Sequence, residues 1–296
     1  MIRNFIDENN FEYYEEASLK NYNSYKIDVI CRVLVFPKSK EELASLVSFL
    51  KSNDFKYLVL GNGSNVIFSK SYYDGVIIKL DRMKNISVNG NVIEVETGYS
   101  LIKLSLYATL RGLSGLEFAS GIPGNIGASV AMNAGAYKQS LSSVVSGVLV
   151  LNPDLEFVYM KNEELNFAYR DSFFKSNHDY IIVSCTLNLE PGCVDEMLEI
   201  ISRRRIRRIE AQPLNYPSAG SVFRNPEGMY AGALIESCGL KGYTIGGAMV
   251  SMKHANFIIN YNNATGRDIV LLINKVRDEV YKKYNVELLL EQIIID

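Results

Sequence analysis

Histidine and cysteine are scarce in this chain, and each scarcity removes a class of chemistry. The two histidines, His178 and His254, have no carboxylate cluster at ligand spacing beside them, so a metal centre is not expected. The four cysteines, Cys31, Cys185, Cys193 and Cys238, are scattered and form no C-x-x-C pair. That argues against a zinc ribbon or a disulfide framework, and suits reduced thiols in a cytoplasmic protein. No apolar run reaches about 18 residues, so no membrane insertion is expected. The opening stretch MIRNFIDENNFEYYEEA is too acidic and polar for a signal peptide. Net charge is −2, which gives nucleic acid no general attraction. There are no repeats and no low-complexity segments.

What remains is a chain of 296 residues, 48% hydrophobic and 22% charged, with enough apolar material for a packed core. Residues 1–24 read as a short helix or an arm. Alternation of Ile27, Val29, Cys31, Val33 and Val35 predicts a strand over Tyr25–Pro37. Ser39 with Glu42 three residues on is a capping box, opening a helix whose inner face is Leu43, Leu46, Val47 and Leu50. A strand follows at Gly75–Leu80. Ser100 to Arg111 reads as a helix with Ile102, Leu106 and Leu110 on one face and Gly112 as its stop. Strands are expected at Ser146–Leu151, Phe157–Met160 and Tyr180–Leu189. Near Pro191 the texture changes to a charged helix, Val194–Gln212. Its run Arg203-Arg204-Arg205, Arg207-Arg208 reads as a solvated face, because Glu199 pairs with Arg203 one turn away. A final amphipathic helix from Thr265 turns Val270, Ile273, Val276 and Val280 inward.

Two glycine-rich stretches do not fit plain linkers. In KYLVLGNGSNVIFSK, Gly61-Asn62-Gly63-Ser64-Asn65 separates two apolar runs. Asn62-Gly63 in that setting signals a hairpin. The same glycines would also let backbone N–H groups converge on a phosphate, with Ser64 and Asn65 adding a hydroxyl and an amide. The loop lacks the Gly-Lys-Ser/Thr ending of a P-loop, and no helix follows it as a Rossmann fingerprint requires. A second Asn-Gly hairpin signal stands at Asn89-Gly90. From Gly115 to Tyr137 small residues alternate with bulky ones, which suits either a backbone pressed against a flat or phosphorylated ligand or a tightly packed loop–helix junction.

Four polar groupings stand out further along: Tyr169-Arg170-Asp171-Ser172, the serine turn at Ser218–Pro226, Lys253-His254 beside strand residues, and Glu291 within a nearly apolar terminal stretch read as a strand. A carboxylate there is costly unless paired or functional. In order, GNGSN from Gly61, GLEFASGIPGNIGASVAMNAGAY from Gly115, YRDS from Tyr169, PSAGSVFRNP from Pro217, GLKGYTIGGAMVSMKHANFIIN from Gly239 and the late Glu291 closely resemble the UDP-N-acetylenolpyruvoylglucosamine reductase family. The resemblance runs from about residue 22 to residue 293.

The resemblance implies an α+β architecture: a two-subdomain FAD-binding fold of the vanillyl-alcohol-oxidase/PCMH type plus a C-terminal α+β substrate domain. The expected divisions are 1–81, 82–192 and 193–296, the last with its terminal strand returning to the active site. It implies a cytoplasmic, monomeric flavoprotein of peptidoglycan precursor synthesis. NADPH would reduce FAD, and the flavin would pass hydride to the methylene carbon of an enolpyruvyl ether on a UDP-sugar. Arg170 and Glu291 match the groups that stabilise the resulting charge, and Ser221 matches the proton donor. Gly61, Asn62, Gly63, Ser64 and Asn65 match the FAD diphosphate loop. Ala119, Ser120, Gly121, Ile122, Gly127 and Ala128 match a second flavin-contacting stretch. Tyr169, Arg224, Asn225 and Lys253 would line the substrate pocket. An oxidase of the same fold would have no reason to keep the trio Arg170, Ser221 and Glu291. Three departures stand against the pattern. Asp28-Val29-Ile30 replaces a usual Gly-Gly-x-Ala. Only about fifty residues separate Arg170 from Ser221, which marks a short form without the tyrosine-bearing loop. Gln212 stands where long-form members place a lysine.

Overall fold

The computed structural model describes residues 1–296. The chain forms two compact units, each assembled from separated segments. The first comprises Met1–Glu15, Val33–Gly61 and Gly75–Ile206; the second comprises Glu16–Arg32, Asn62–Asp74 and Arg207–Asp296. Mixed helix and sheet content throughout makes this an α+β protein.

In the first unit, Ser39 accepts from the Glu42 backbone N–H, but the Glu42 carboxylate accepts from the Lys38 N–H and not from Ser39, so only half of the expected capping box forms; the helix runs Lys40–Ser52. Leu43, Leu46, Val47 and Leu50 are all buried against Val33, Val35, Val76 and Ile78. Burial of four such side chains contributes about 1.5–3 kcal/mol each before entropy is counted. The Tyr57–Val59 strand lies parallel to Tyr72–Ile78, pairing Leu58 with Ile77. A second core forms under a five-stranded antiparallel sheet. Its strands, in spatial order, are Phe157–Lys161, Val145–Leu151, Ile181–Asn188, Val92–Glu96 and Ile86–Asn89. The helix at Leu101–Thr109 packs on it by Leu101, Leu104 and Ala108.

That last face corrects the sequence reading. Ile102, Leu106 and Leu110 are exposed, at 40%, 46% and 58%. The helix is short and largely apolar, so its hydrophobic residues fit two alternative stripes. The buried stripe is the one carrying Ser105 and Thr109, whose hydroxyls bond back to the Leu116 and Ser105 carbonyls.

In the second unit, Thr244–Ile245, Ala248–Val250 and Ile258–Asn260 form an antiparallel sheet. The Gly266–Tyr284 helix covers one face, held at its start by a Thr265–Asp268 capping box. Its inner residues are Ile269, Leu272, Ile273, Val276 and Val280; Val270 is only half-buried. A separate parallel pair joins Val66–Phe68 to Ile293–Ile295. The strand expected from Tyr25 begins instead at Ile30, because Lys26 takes a positive φ of 58° that breaks the extended run. A strand at Glu12–Ser18 was not expected from the polar N-terminal sequence.

No helix is long and apolar enough to cross a membrane. The Val194–Ala211 helix buries only Met197, consistent with its charge, and Arg203 pairs with Glu199 at 3.7 Å while both stay exposed. Arg204 departs from that pattern, lying 4.5 Å from the Tyr137 ring centroid.

Candidate active site

The loop Gly61–Asn65 is not a hairpin. The strands on its two sides never pair with each other: Tyr57–Val59 joins Tyr72–Ile78, whereas Val66–Phe68 joins the C-terminal Ile293–Ile295. Gly61 belongs to the first unit, and the loop from Asn62 onward belongs to the second.

In the first unit, Gly61 packs against the start of the Ile126–Ala131 helix. A Cβ on Gly61 would stand 2.6 Å from the Ala128 Cβ and 3.0 Å from Asn125 Oδ1. Gly127 is equally confined, since its Cβ would meet Thr97 Oγ1 at 2.0 Å. Gly61 is thus pressed against Asn125 and Ala128, and Gly127 against Thr97. Ala119 is fully buried, and Ser120 donates to the Glu117 carbonyl at 2.9 Å. Glu117, itself 6% exposed, accepts from the Gly115 N–H and from Ser114, fixing the entry to Gly121 and Ile122.

The motifs MNAGAY and YRDS, distant in sequence, are bound together in the same unit. Asn133 donates to the Ala168 carbonyl at 2.8 Å, and Ser172 to the Ala131 carbonyl at 2.6 Å. Arg170 donates to the Gly135 carbonyl at 2.7 Å and lies 5.4 Å from the Tyr169 ring centroid. Arg170 also sits at φ +54°, a conformation that costs about 1–3 kcal/mol for a non-glycine residue and tends to mark functional positions.

In the second unit, Ser221, Arg224 and Glu291 lie on neighbouring extended segments. Glu291 donates its N–H to the Val222 carbonyl and Arg224 its N–H to the Leu289 carbonyl, both at 2.9 Å. Phe223 and Leu290 bridge between them. The terminal strand proper starts two residues after Glu291, at Ile293, so Glu291 sits at a half-buried bend rather than mid-strand. Asn65 Nδ2 donates to the Glu291 carbonyl at 3.1 Å, which places the end of the glycine loop against that bend. Asn225 caps Ala231 through its Oδ1, and the Lys253 ammonium donates to the Ile209 carbonyl. Lys253 also borders a cavity of about 780 Å³, whose wall includes Gln212, Tyr216, Met249 and Tyr261. Gln212 Oε1 is buried there without a partner.

Further residues shape these segments, Tyr25 and Gln292 outside the quoted motifs and His254 and Asn256 within one. Gln292, 3% exposed, donates to the Ala219 and Gly220 carbonyls and so pins the turn before Ser221. Its Oε1 accepts from the fully buried Tyr25 hydroxyl at 2.9 Å. Asn256 holds Phe223 from both sides, accepting its N–H and donating to its carbonyl. His254 Nδ1 accepts the Asn256 N–H at 3.2 Å, and burial lowers the imidazole's pKa, which favours the neutral ring that such an acceptor requires. The signal for these was present only as polar residues among apolar ones.

The residues of the first unit fit a flavin dinucleotide. Asn125 Oδ1, which faces Gly61, is buried with no hydrogen-bond partner, an acceptor suited to a ligand hydroxyl or N–H.

Comparison with known proteins agrees. A family model described as the FAD binding domain matches residues 31–159. A second, described as the UDP-N-acetylenolpyruvoylglucosamine reductase C-terminal domain, matches residues 212–295. The UDP-N-acetylenolpyruvoylglucosamine reductase of Caldanaerobacter subterraneus subsp. tengcongensis is 41% identical over 278 residues, spanning 94% of this chain and 92% of the relative. That of Alkaliphilus oremlandii is 41% identical, spanning 92% and 90%. The crystal structure of the Thermus caldophilus UDP-N-acetylenolpyruvylglucosamine reductase matches with a TM-score of 0.82 and 31% identity, covering 97% of this chain and 99% of that one. The fold and the FAD-binding domain define a flavin-dependent oxidoreductase. Within that class, the chain belongs to the UDP-N-acetylenolpyruvoylglucosamine reductase family.

Proposed function

We propose that the protein catalyses the NADPH-dependent reduction of UDP-N-acetylglucosamine enolpyruvate to UDP-N-acetylmuramate through FAD, in the cytoplasm, as a step of peptidoglycan precursor synthesis. FAD supplies the two-electron chemistry that no side chain carries. On this reading residues 1–81 and 82–192 form the two FAD-binding subdomains and 193–296 the substrate domain. Gly61–Asn65 and the stretch Ala119–Ala128 hold the cofactor. Tyr169, Arg224, Asn225 and Lys253 hold the substrate, with the cavity beside Lys253 taking part of the nucleotide sugar.

The chain's own residues have three tasks. Reduction of the enolpyruvyl double bond leaves negative charge beside the substrate carboxylate. Arg170 is the fixed cation for that charge, and a preorganised charge of this kind is often the largest single catalytic contribution. Its strained backbone and its bond to Gly135 hold it without reorganisation. Glu291 assists in stabilising the same intermediate. Ser221 Oγ delivers a proton to carbon. Serine is a weak acid, so this works only when the carbanion is close and strongly basic.

The observation that carries the reading is the pairing of the Ser221–Arg224 segment with Leu289–Glu291, which supports joint action of Ser221 and Glu291 at one reacting centre. The test is a pair of half-reactions. In Ser221→Ala, NADPH should still bleach the flavin at the normal rate, while turnover with the enolpyruvyl nucleotide sugar falls by about 10²–10⁴-fold. Normal turnover would remove Ser221 from its role. Glu291→Gln should impair the second half-reaction alone; equal loss in both would make it structural.

A further inference from the structure

Lys79 lies outside both glycine-rich stretches, and its position is unusual. Its side chain is 2% exposed, in a protein interior where lysine is rarely found unless paired. The Lys79 ammonium donates to the Gly61 carbonyl and stands 3.2 Å from Asp81 Oδ1. The same Asp81 oxygen accepts from Asn125 Nδ2 at 3.1 Å. Asn125 Oδ1 in turn faces Gly61, 3.0 Å from where a Cβ would be. Gly61, Lys79, Asp81 and Asn125 thus close a ring within the first unit. That ring joins the first glycine of one flavin-contacting stretch to the residue before the Gly127-Ala128 pair of the other.

We propose that Lys79 is a positioning residue for the cofactor: through Asp81 it holds Gly61 and Asn125 at one fixed separation, and it keeps the Gly61 carbonyl turned inward. A carbonyl held by an ammonium cannot turn toward a phosphate, where it would repel. The charge itself adds a positive potential at Gly61. A methionine of similar length would fill the same space without the desolvation cost of an ammonium, so packing alone does not account for lysine here. Burial lowers the pKa of the Lys79 ammonium and Asp81 opposes that shift, in keeping with a charge retained by its partner. The inference rests on the assignment of Gly61 and of Gly127-Ala128 to FAD.

The test is FAD affinity of the full chain stripped of flavin, read by quenching of flavin fluorescence well below the unfolding temperature. Lys79→Met should raise the FAD Kd by about 10–100-fold, the range of a charged hydrogen bond lost. Adding Asp81→Asn to Lys79→Met should recover part of that loss, because the carboxylate left alone no longer opposes an anionic ligand. A Kd within twofold of wild type in Lys79→Met overturns the inference, even if the unfolding temperature falls. Should Lys79→Met not fold, Lys79→Gln reads the same linkage: a several-fold rise in Kd supports it and a value within twofold overturns it. Gly61→Ala separates the two levels. If Gly61→Ala weakens FAD and Lys79→Met does not, only the role of Lys79 fails; if neither does, the assignment of the loop to FAD fails with it.

Discussion

Asn62-Gly63 and Asn89-Gly90 are the same dipeptide set between apolar runs, yet one buries its glycine against a neighbouring backbone and the other lies at an exposed tip. At Gly90 the chain makes a two-residue hairpin, with Asn89 paired to Val92 and φ +58° at the glycine. A Cβ there would meet nothing within 4 Å. At Gly63 φ is similar, +63°, but a Cβ would stand 2.2 Å from the Tyr22 carbonyl oxygen and 2.7 Å from the Asn23 Cα. Glycine is needed at the tip for its backbone freedom alone, and in the junction for its missing side chain as well. The tip closes a local sheet. The junction sends its two flanking strands to different sheets.

Substitutions can break this contrast or sharpen it. The largest effect is expected at Gly63→Ala, about 3–5 kcal/mol by urea unfolding, because both backbones must move and the conformation is strained as well. A loss under about 1 kcal/mol would show that the Tyr22–Asn23 segment yields easily and that the two glycines are equivalent after all. Asn23→Ala should follow at about 2–3 kcal/mol. Its buried side chain bonds the Leu19 carbonyl and both backbone groups of Ile27, so it builds the surface that Gly63 packs on. Asn65→Ala removes the bond to the Glu291 carbonyl and should cost about 1 kcal/mol in stability, with a larger effect on turnover than on flavin reduction. At the tip, Gly90→Ala should cost about 1 kcal/mol from the left-handed backbone, and Gly90→Asn less than about 0.5 kcal/mol. A large loss at Gly90→Asn, measured the same way, would mean that the hairpin carries a constraint absent from its surroundings.

Much of the fold was legible where one physical signal dominated. The Ser39 N-cap and the Thr265 capping box with its helix follow from side-chain chemistry and period alone, whereas Ile181–Asn188 forms the expected strand but is buried along both faces. Ambiguity arose where two periods fit, as in Leu101–Thr109, or where the local signal was right for the wrong reason, as at Asn62-Gly63. No local rule reveals that Val66–Phe68 pairs with residues near the far end of the chain. The motif residues Arg170, Ser221 and Glu291 stood out because each is polar in an unusual setting. Gln292, Asn256, Tyr25 and Lys79 did not, since a buried polar residue shows its partners only after the chain has folded. At Asp28-Val29, Asp28 accepts from the Ser18 hydroxyl, the Val29 carbonyl accepts from the Leu19 N–H, and Val29 is fully buried.

The pairing of Val66–Phe68 with Ile293–Ile295 has a consequence for biosynthesis. Asn65 and Glu291, joined by a hydrogen bond, are 226 residues apart. On a ribosome adding roughly 5–20 residues each second, the strand beside the glycine loop waits on the order of ten seconds or more for its partner to be made. The helix at Lys40–Ser52 and its core can form early, whereas the second unit stays open until its last strand emerges. An exposed edge of Val66, Ile67 and Phe68 is therefore a feature of the nascent chain, and chaperone capture during synthesis should concentrate on it.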